Sequence, residues 1–134
     1  MFDNGTTLIA AAGRSSRKGS GYPANYPGEI AVAAIDGGLR PSRLSARGQH
    51  IAYAGPGVGM SVASPGRTTQ LATGTSFAAP IVSAAFATAK GSARGDRAVT
   101  LQVLQSFAKD LDAPGRNPVY GWGLVQFQKL DNCS

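Results

Sequence analysis

Residues 73–87 constrain the fold most, because Gly74, Thr75, Ser76, Phe77, Ala78, Ala79 and Pro80 open a helix that continues through small residues such as Ala84 and Ala85. A helix this thin suits a crowded interior in which neighbouring segments approach its backbone. Gly74 allows a close approach or a strained turn at its start, and Thr73 or Thr75 is expected to cap it. Pro80 is tolerated only near the first turn. The first N–H groups of a helix have no intrahelical partner and carry the positive end of its dipole. A developing anion at Ser76 would therefore be stabilised. Serine is also a common cap residue, so the same pattern describes an ordinary capped core helix.

Periodicity places the other elements. Residues 7–12 form a short apolar run between Asn4-Gly5 and Gly13, as a buried strand does. Residues 14–28, rich in Ser, Gly and Pro, read as a long loop. Residues 29–35 alternate β-branched and apolar side chains before Asp36-Gly37-Gly38 and make the clearest strand. Shorter strands are expected at 51–54 and 58–63, around the Gly55-Pro56-Gly57 turn. The helix from about 75 to 90 is expected to end at Gly91. A second, over 99–111, sets Val99, Val103, Leu104, Phe107 and Leu111 at helical spacing. Pro114, Gly115 and Pro118 interrupt the chain before a last strand near 123–127. Strands followed by helices imply an α/β layer arrangement, and neither an internal repeat nor a linker divides it.

The order of residues 74–80 resembles the serine motif of the subtilisin-like serine peptidases, in which Gly, Thr, Ser, any residue, Ala, any small residue and Pro follow one another. Ser76 falls on the nucleophile. The likeness extends to the strand at 8–13, which resembles the one leading into the family's oxyanion loop, and to YPANYPGEIAVAA at 22–34. It continues through the Pro-Gly-Val turn of residues 45–58 and PVYGWGLV at 118–125. It covers nearly the whole chain and implies an α/β fold: the C-terminal part of a parallel-sheet domain with flanking helices. The implied chemistry is acyl transfer, in which Ser76 attacks a peptide carbonyl while a histidine, oriented by an aspartate, takes its proton. Gly13, Ala12, Arg14 and Thr75 are the matching oxyanion and substrate-binding positions. Ala11, Ala12 and Gly13 would wall the pocket for the residue before the scissile bond, and their small side chains leave room for a large one.

The family's Asp and His motifs, which precede the serine in chain order, have no counterpart here. The single histidine, His50, lies in SARGQHIAYAGPG without Gly-Thr-His context and reads as a solvated or loop histidine. Asp3, Glu29 and Asp36 likewise lack the aspartate motif. Residues 1–134 are therefore expected to be a partial domain that carries the serine motif, with a missing N-terminal half supplying Asp and His. Such a half exposes an apolar sheet edge and is expected to be marginal alone, to aggregate or to pair with a partner. Arg14 stands where the family usually has an asparagine whose donor stabilises the oxyanion by roughly 3 kcal/mol. Arginine offers donors and a fixed charge but is longer, and is expected to replace the asparagine poorly. Acids for the family's weak cation site are not evident around Ala24 and Ala52, so neither metal nor cofactor is expected.

Two functions follow: a serine endopeptidase acting on peptides or proteins, of which this chain holds the Ser-bearing part, or a non-catalytic remnant that binds peptides along the surviving cleft. The net charge of +6 admits a third, nucleic-acid binding. Arg14, Arg17 and Lys18, then Arg40, Arg43 and Arg47, then Arg94 and Arg97 fall in loops with little aromatic interleaving, which favours solvated charge over base stacking. The glycines at 55, 57 and 59 lack the Lys-Ser or Lys-Thr of a phosphate loop. No stretch approaches the roughly 20 apolar residues of a membrane span. Cys133 stands alone, so no disulfide framework is indicated. The resembling family is typically secreted, but no basic segment and apolar run opens this chain, and its compartment is left open.

Overall fold

The computed structural model describes residues 5–14 and 21–126. Strands β1 (Ile9–Ala11), β2 (Ile30–Ile35) and β3 (Ile51–Pro56) form a parallel sheet in that order; β4 (Met60–Ser64) and β5 (Thr68–Ala72) form an antiparallel hairpin; α1 (Thr75–Ser92) and α2 (Arg97–Phe107) follow. The central strand is buried along its whole length, as the middle of a parallel sheet is. Its alternation divides the core. Ile30, Val32 and Ala34 pack with Ala78, Val82, Ala85 and Phe86 of α1 and with Leu104 of α2. On the other face Ala31 meets Ala10 and Ala24, Ala33 meets Ala12 and Ala46, and Ile35 meets Leu111.

The two edges of this sheet differ. Beyond β3 the chain returns alongside it: Trp122 N donates to Ala52 O at 2.8 Å, and Ala54 N to Gly123 O at 2.9 Å. Gly121 and Gly123 have positive φ, and a Cβ on either would collide with the Ala52 or Lys109 carbonyl, so the Gly-Trp-Gly run admits no other residue at those places. Trp122 packs against the main cluster, in keeping with a closing role. The expected last strand appears as single bridges from Leu124 to Ala54 and Lys109; residue 127 lies outside the described residues. At the opposite edge, β1 pairs with β2 alone among the described residues.

Element boundaries depart from the sequence reading where tertiary contacts decide. The hairpin strand β5 was not expected: Thr68, Thr69 and Gln70 are polar, Leu71 is exposed, and little hydrophobic period is left to read. Gly91 lies within α1; the chain leaves through Arg94 and Gly95, both at positive φ, and Gly95 N reaches back to Lys90 O at 3.1 Å. The second helix begins earlier, because the Asp96 carboxylate accepts from Val99 N at 2.9 Å. It stops at Phe107 because Lys109 pairs with Leu124 instead of continuing the helical ladder. Val99 is consequently exposed, and Leu111 packs beyond the helix with Ile35 and Ala54.

One contact holds the end of β3 to the start of α1. Gly74 N donates to Gly57 O at 2.8 Å, and a Cβ on Gly57 would stand 2.7 Å from both the Ala34 methyl and the Gly74 carbonyl. Gly57→Ala is expected to cost about 1–3 kcal/mol through overpacking. Gly37→Ala, where a Cβ meets nothing within 4 Å, is expected to stay within about 0.5 kcal/mol. Thermal denaturation of the two variants side by side measures the difference.

Candidate active site

The carboxyl ends of β1 and β3 converge on the first turn of α1, the place where open parallel sheets hold ligands. Ser76 is the second residue of that helix and is exposed. Its hydroxyl has no hydrogen-bond partner among the described residues. Pro80 lies in the second turn, beyond the position expected of it, with its ring on the exposed side. Because proline has no N–H, the carbonyl of Ser76 receives no i→i−4 bond.

The two threonines do not cap. The N-cap residue is Gly74, without a side-chain bond. Thr75, buried, accepts instead from Gly13 N at 3.1 Å, across 62 residues of sequence, and Thr73 accepts from Gly59 N at 3.0 Å. Helix propensity gave no sign of these ties, since each hydroxyl satisfies an amide on another segment. Gly13 is held a second time, its carbonyl accepting from Ala46 N at 2.8 Å, while Arg14 bridges to Ser45. Ser45 in turn accepts from Ala34 N, which fastens this loop to β2. Gly13, Arg14, Thr75 and Ser76 thus line one cleft of about 290 Å³, with Phe77 and Ser45 among its walls. Ala12 lies outside that cleft. It lines a second cavity of about 430 Å³ with Ala11, Gly13, Arg14 and Tyr22, and packs behind it against Ala33, Ala46 and Ile51. Ser45 opens the family-like segment of residues 45–58, but its place beside the cleft and that of Ser42 had no periodic signal in a basic, polar stretch.

His50 stands elsewhere. It precedes β3, whereas the Ser76 cleft follows it, and six strand residues at about 3.3 Å each separate the two by on the order of 20 Å. Its environment is drier than a solvated loop would give: Nε2 is buried without a partner among the described residues, and burial, with the nearby Arg116 charge, lowers its pKa below 6.5. Arg116 is held there by the carbonyls of Gln49 and Ile51. The same burial pushes the Tyr53 hydroxyl up to about 12. Asp36 caps its own turn, accepting from Gly38 N and Arg40 N, and the Arg40 amide leads in holding its carboxyl below the ordinary value. No group of three or more potential metal ligands occurs among the described residues.

Two measurements check these arrangements. Thr75→Val removes the acceptor of the Gly13 amide and is expected to cost about 1 kcal/mol, with faster hydrogen exchange at Gly13 than in Thr73→Val. Because the folded pKa of His50 lies below its unfolded value, the unfolded chain takes up the proton first as pH falls. Its contribution is therefore whole above pH 6.5 and declines below it. The melting temperature is expected to drop between pH 7.5 and 5.5, less so in His50→Gln.

Comparison with known proteins follows the same residues. The sequence model of the Subtilase family matches residues 1–123. The chain is 34% identical over 121 residues to the Thermostable alkaline protease of Halalkalibacterium halodurans, covering 90% of this chain and 33% of that protein. It is 32% identical over 129 residues to Subtilisin E of Bacillus subtilis, covering 93% and 33%. Among solved structures, that of the Prenylagaramide maturation protease PagA superimposes with a TM-score of 0.75 at 26% identity, over 97% of this chain and 51% of that one. The chain spans about a third of the length of these curated relatives.

Proposed function

The chain belongs to the subtilase family of subtilisin-type serine peptidases, and on that premise we propose that its residues form the nucleophile-bearing part of a serine endopeptidase in which Ser76 attacks the peptide carbonyl. The observation that carries this reading is the position of Ser76: exposed, at the N-terminus of α1, in one cleft with Gly13 and Arg14 from the end of β1. The oxygen of the tetrahedral intermediate would be received at the electropositive start of α1, by the backbone amides of its first residues. Gly13 N is already engaged by Thr75, so its part is to hold β1 and α1 in register.

A general base must lie within hydrogen-bond reach of the serine hydroxyl. Neither a histidine nor an acid lines the cleft among the described residues, and His50 is at the other end of β3. The histidine and aspartate of the triad accordingly come from outside these 134 residues, from a polypeptide segment that docks along the open edge of β1. The substrate is a peptide or protein laid across that junction. The absence of a base among the described residues of the cleft equally favours a second reading, a peptide-binding module without chemistry.

Chemical rescue separates them. Free imidazole stands in for the missing base, so a fluorophosphonate probe is expected to label Ser76 at a rate that rises with imidazole concentration, and Ser76→Ala abolishes the labelling. Without imidazole the rate falls by about 10³-fold or more, as when a triad member is removed. Labelling that persists in Ser76→Ala, or that ignores imidazole, overturns the proposed role. A folded chain that stays unlabelled throughout supports the peptide-binding reading.

A further inference from the structure

Resting on the peptidase reading, we propose that Arg14 makes the cleft selective for an acidic side chain on the substrate residue whose carbonyl Ser76 attacks. Arg14 and Gly13 are the two residues that line both the Ser76 cleft and the cavity of Ala11, Ala12 and Tyr22. Of all the described residues lining the two cavities, Arg14 alone carries a charge. It is exposed, and its guanidinium has neither an ion pair nor a hydrogen bond among the described residues.

By contrast, its backbone is fixed, through the bridge to Ser45 and the two bonds of Gly13 to Thr75 and Ala46. The side chain therefore swings from a rigid base beside the serine. A substrate residue whose carbonyl sits at Ser76 would extend its side chain past this base into the second cavity. There Ala11 and Tyr22 offer apolar walls to a methylene stem, and a carboxylate at its tip meets the guanidinium. Guanidinium and carboxylate match in planar, bidentate geometry, which a neutral amide of the same shape does not reproduce. A cationic side chain in the same place is repelled.

The test uses the 134-residue chain and amide-capped peptides, acetyl-Ala-Ala-Pro-Glu-NH2 and its Gln and Lys counterparts, with binding followed by the NMR shifts of the Gly13 and Ser76 amides. The Glu peptide is expected to bind about tenfold more tightly than the Gln peptide, as a hydrogen bond to a charged group gives, and the Lys peptide least. Raising salt from about 0.05 to about 0.5 M narrows that difference. Arg14→Gln should level Glu with Gln, and Arg14→Glu should favour the Lys peptide. Equal binding of the Glu and Gln peptides overturns the selectivity and leaves the peptidase reading standing. Tighter binding of a Gln peptide with a free terminal carboxylate than of the Glu amide overturns it in favour of terminal-carboxylate recognition. An absence of shifts with every peptide overturns both this proposal and the reading on which it rests.

Discussion

Two backbones meet in this structure where neither carries a side chain, and the Ser76 cleft exists because they do. Gly57 leaves the end of β3 in contact with Gly74 at the head of α1, with Ala34 of the central strand closing the third side. A methyl group at Gly57 would push the helix off the sheet and carry Ser76 away from the end of β1. The alanines of α1 extend the same economy of volume: Ala78 lies against both Gly55 and Gly57, and the helix crosses the sheet at backbone distance. In close-packed interiors a displacement of this size spreads rather than dissipates, so the position of the serine depends on the absence of atoms at Gly57.

The residues legible in the sequence are those whose role is local or whose order is distinctive. The 74–80 motif placed the serine on a helix start, and the 29–35 alternation placed the central strand within one residue of its observed limits. Polar atoms that act at long range were not legible. Thr73 and Thr75 look like caps because threonine commonly caps helices, yet each is drawn to an amide on another segment. Gly91 looks like a helix end, but the packing of Ala89 and Ala93 carries the helix past it. Strand β5 escaped because an exposed strand that opens Thr-Thr-Gln resembles a loop in composition.

Charge is arranged differently at the two ends of the sheet. Around the amino ends of β2 and β3, Glu29, Arg97 and Arg116 surround a cavity of about 310 Å³, and Arg116 is spent on the carbonyls of Gln49 and Ile51. There the cations serve the fold. At the carboxyl ends, Arg14 is the one charged residue among the described residues that line the Ser76 cleft, and its guanidinium bonds to none of them. The +6 charge that invites a nucleic-acid reading is thus divided among tasks, part of it holding carbonyls and one residue facing the serine.

The bond from Gly13 to Thr75 joins β1, the edge strand among the described residues, to the serine helix in a single step. A segment that pairs with β1 narrows the positions open to that strand and, through Gly13, those open to the first turn of α1. By thermodynamic reciprocity the effect runs in both directions: a ligand seated on Ser76 tightens the hold of β1 on its neighbour by the same free energy that the neighbour lends to the ligand. Assembly and substrate engagement in such a chain are then one equilibrium observed from two sites, and the serine is best ordered when both are satisfied.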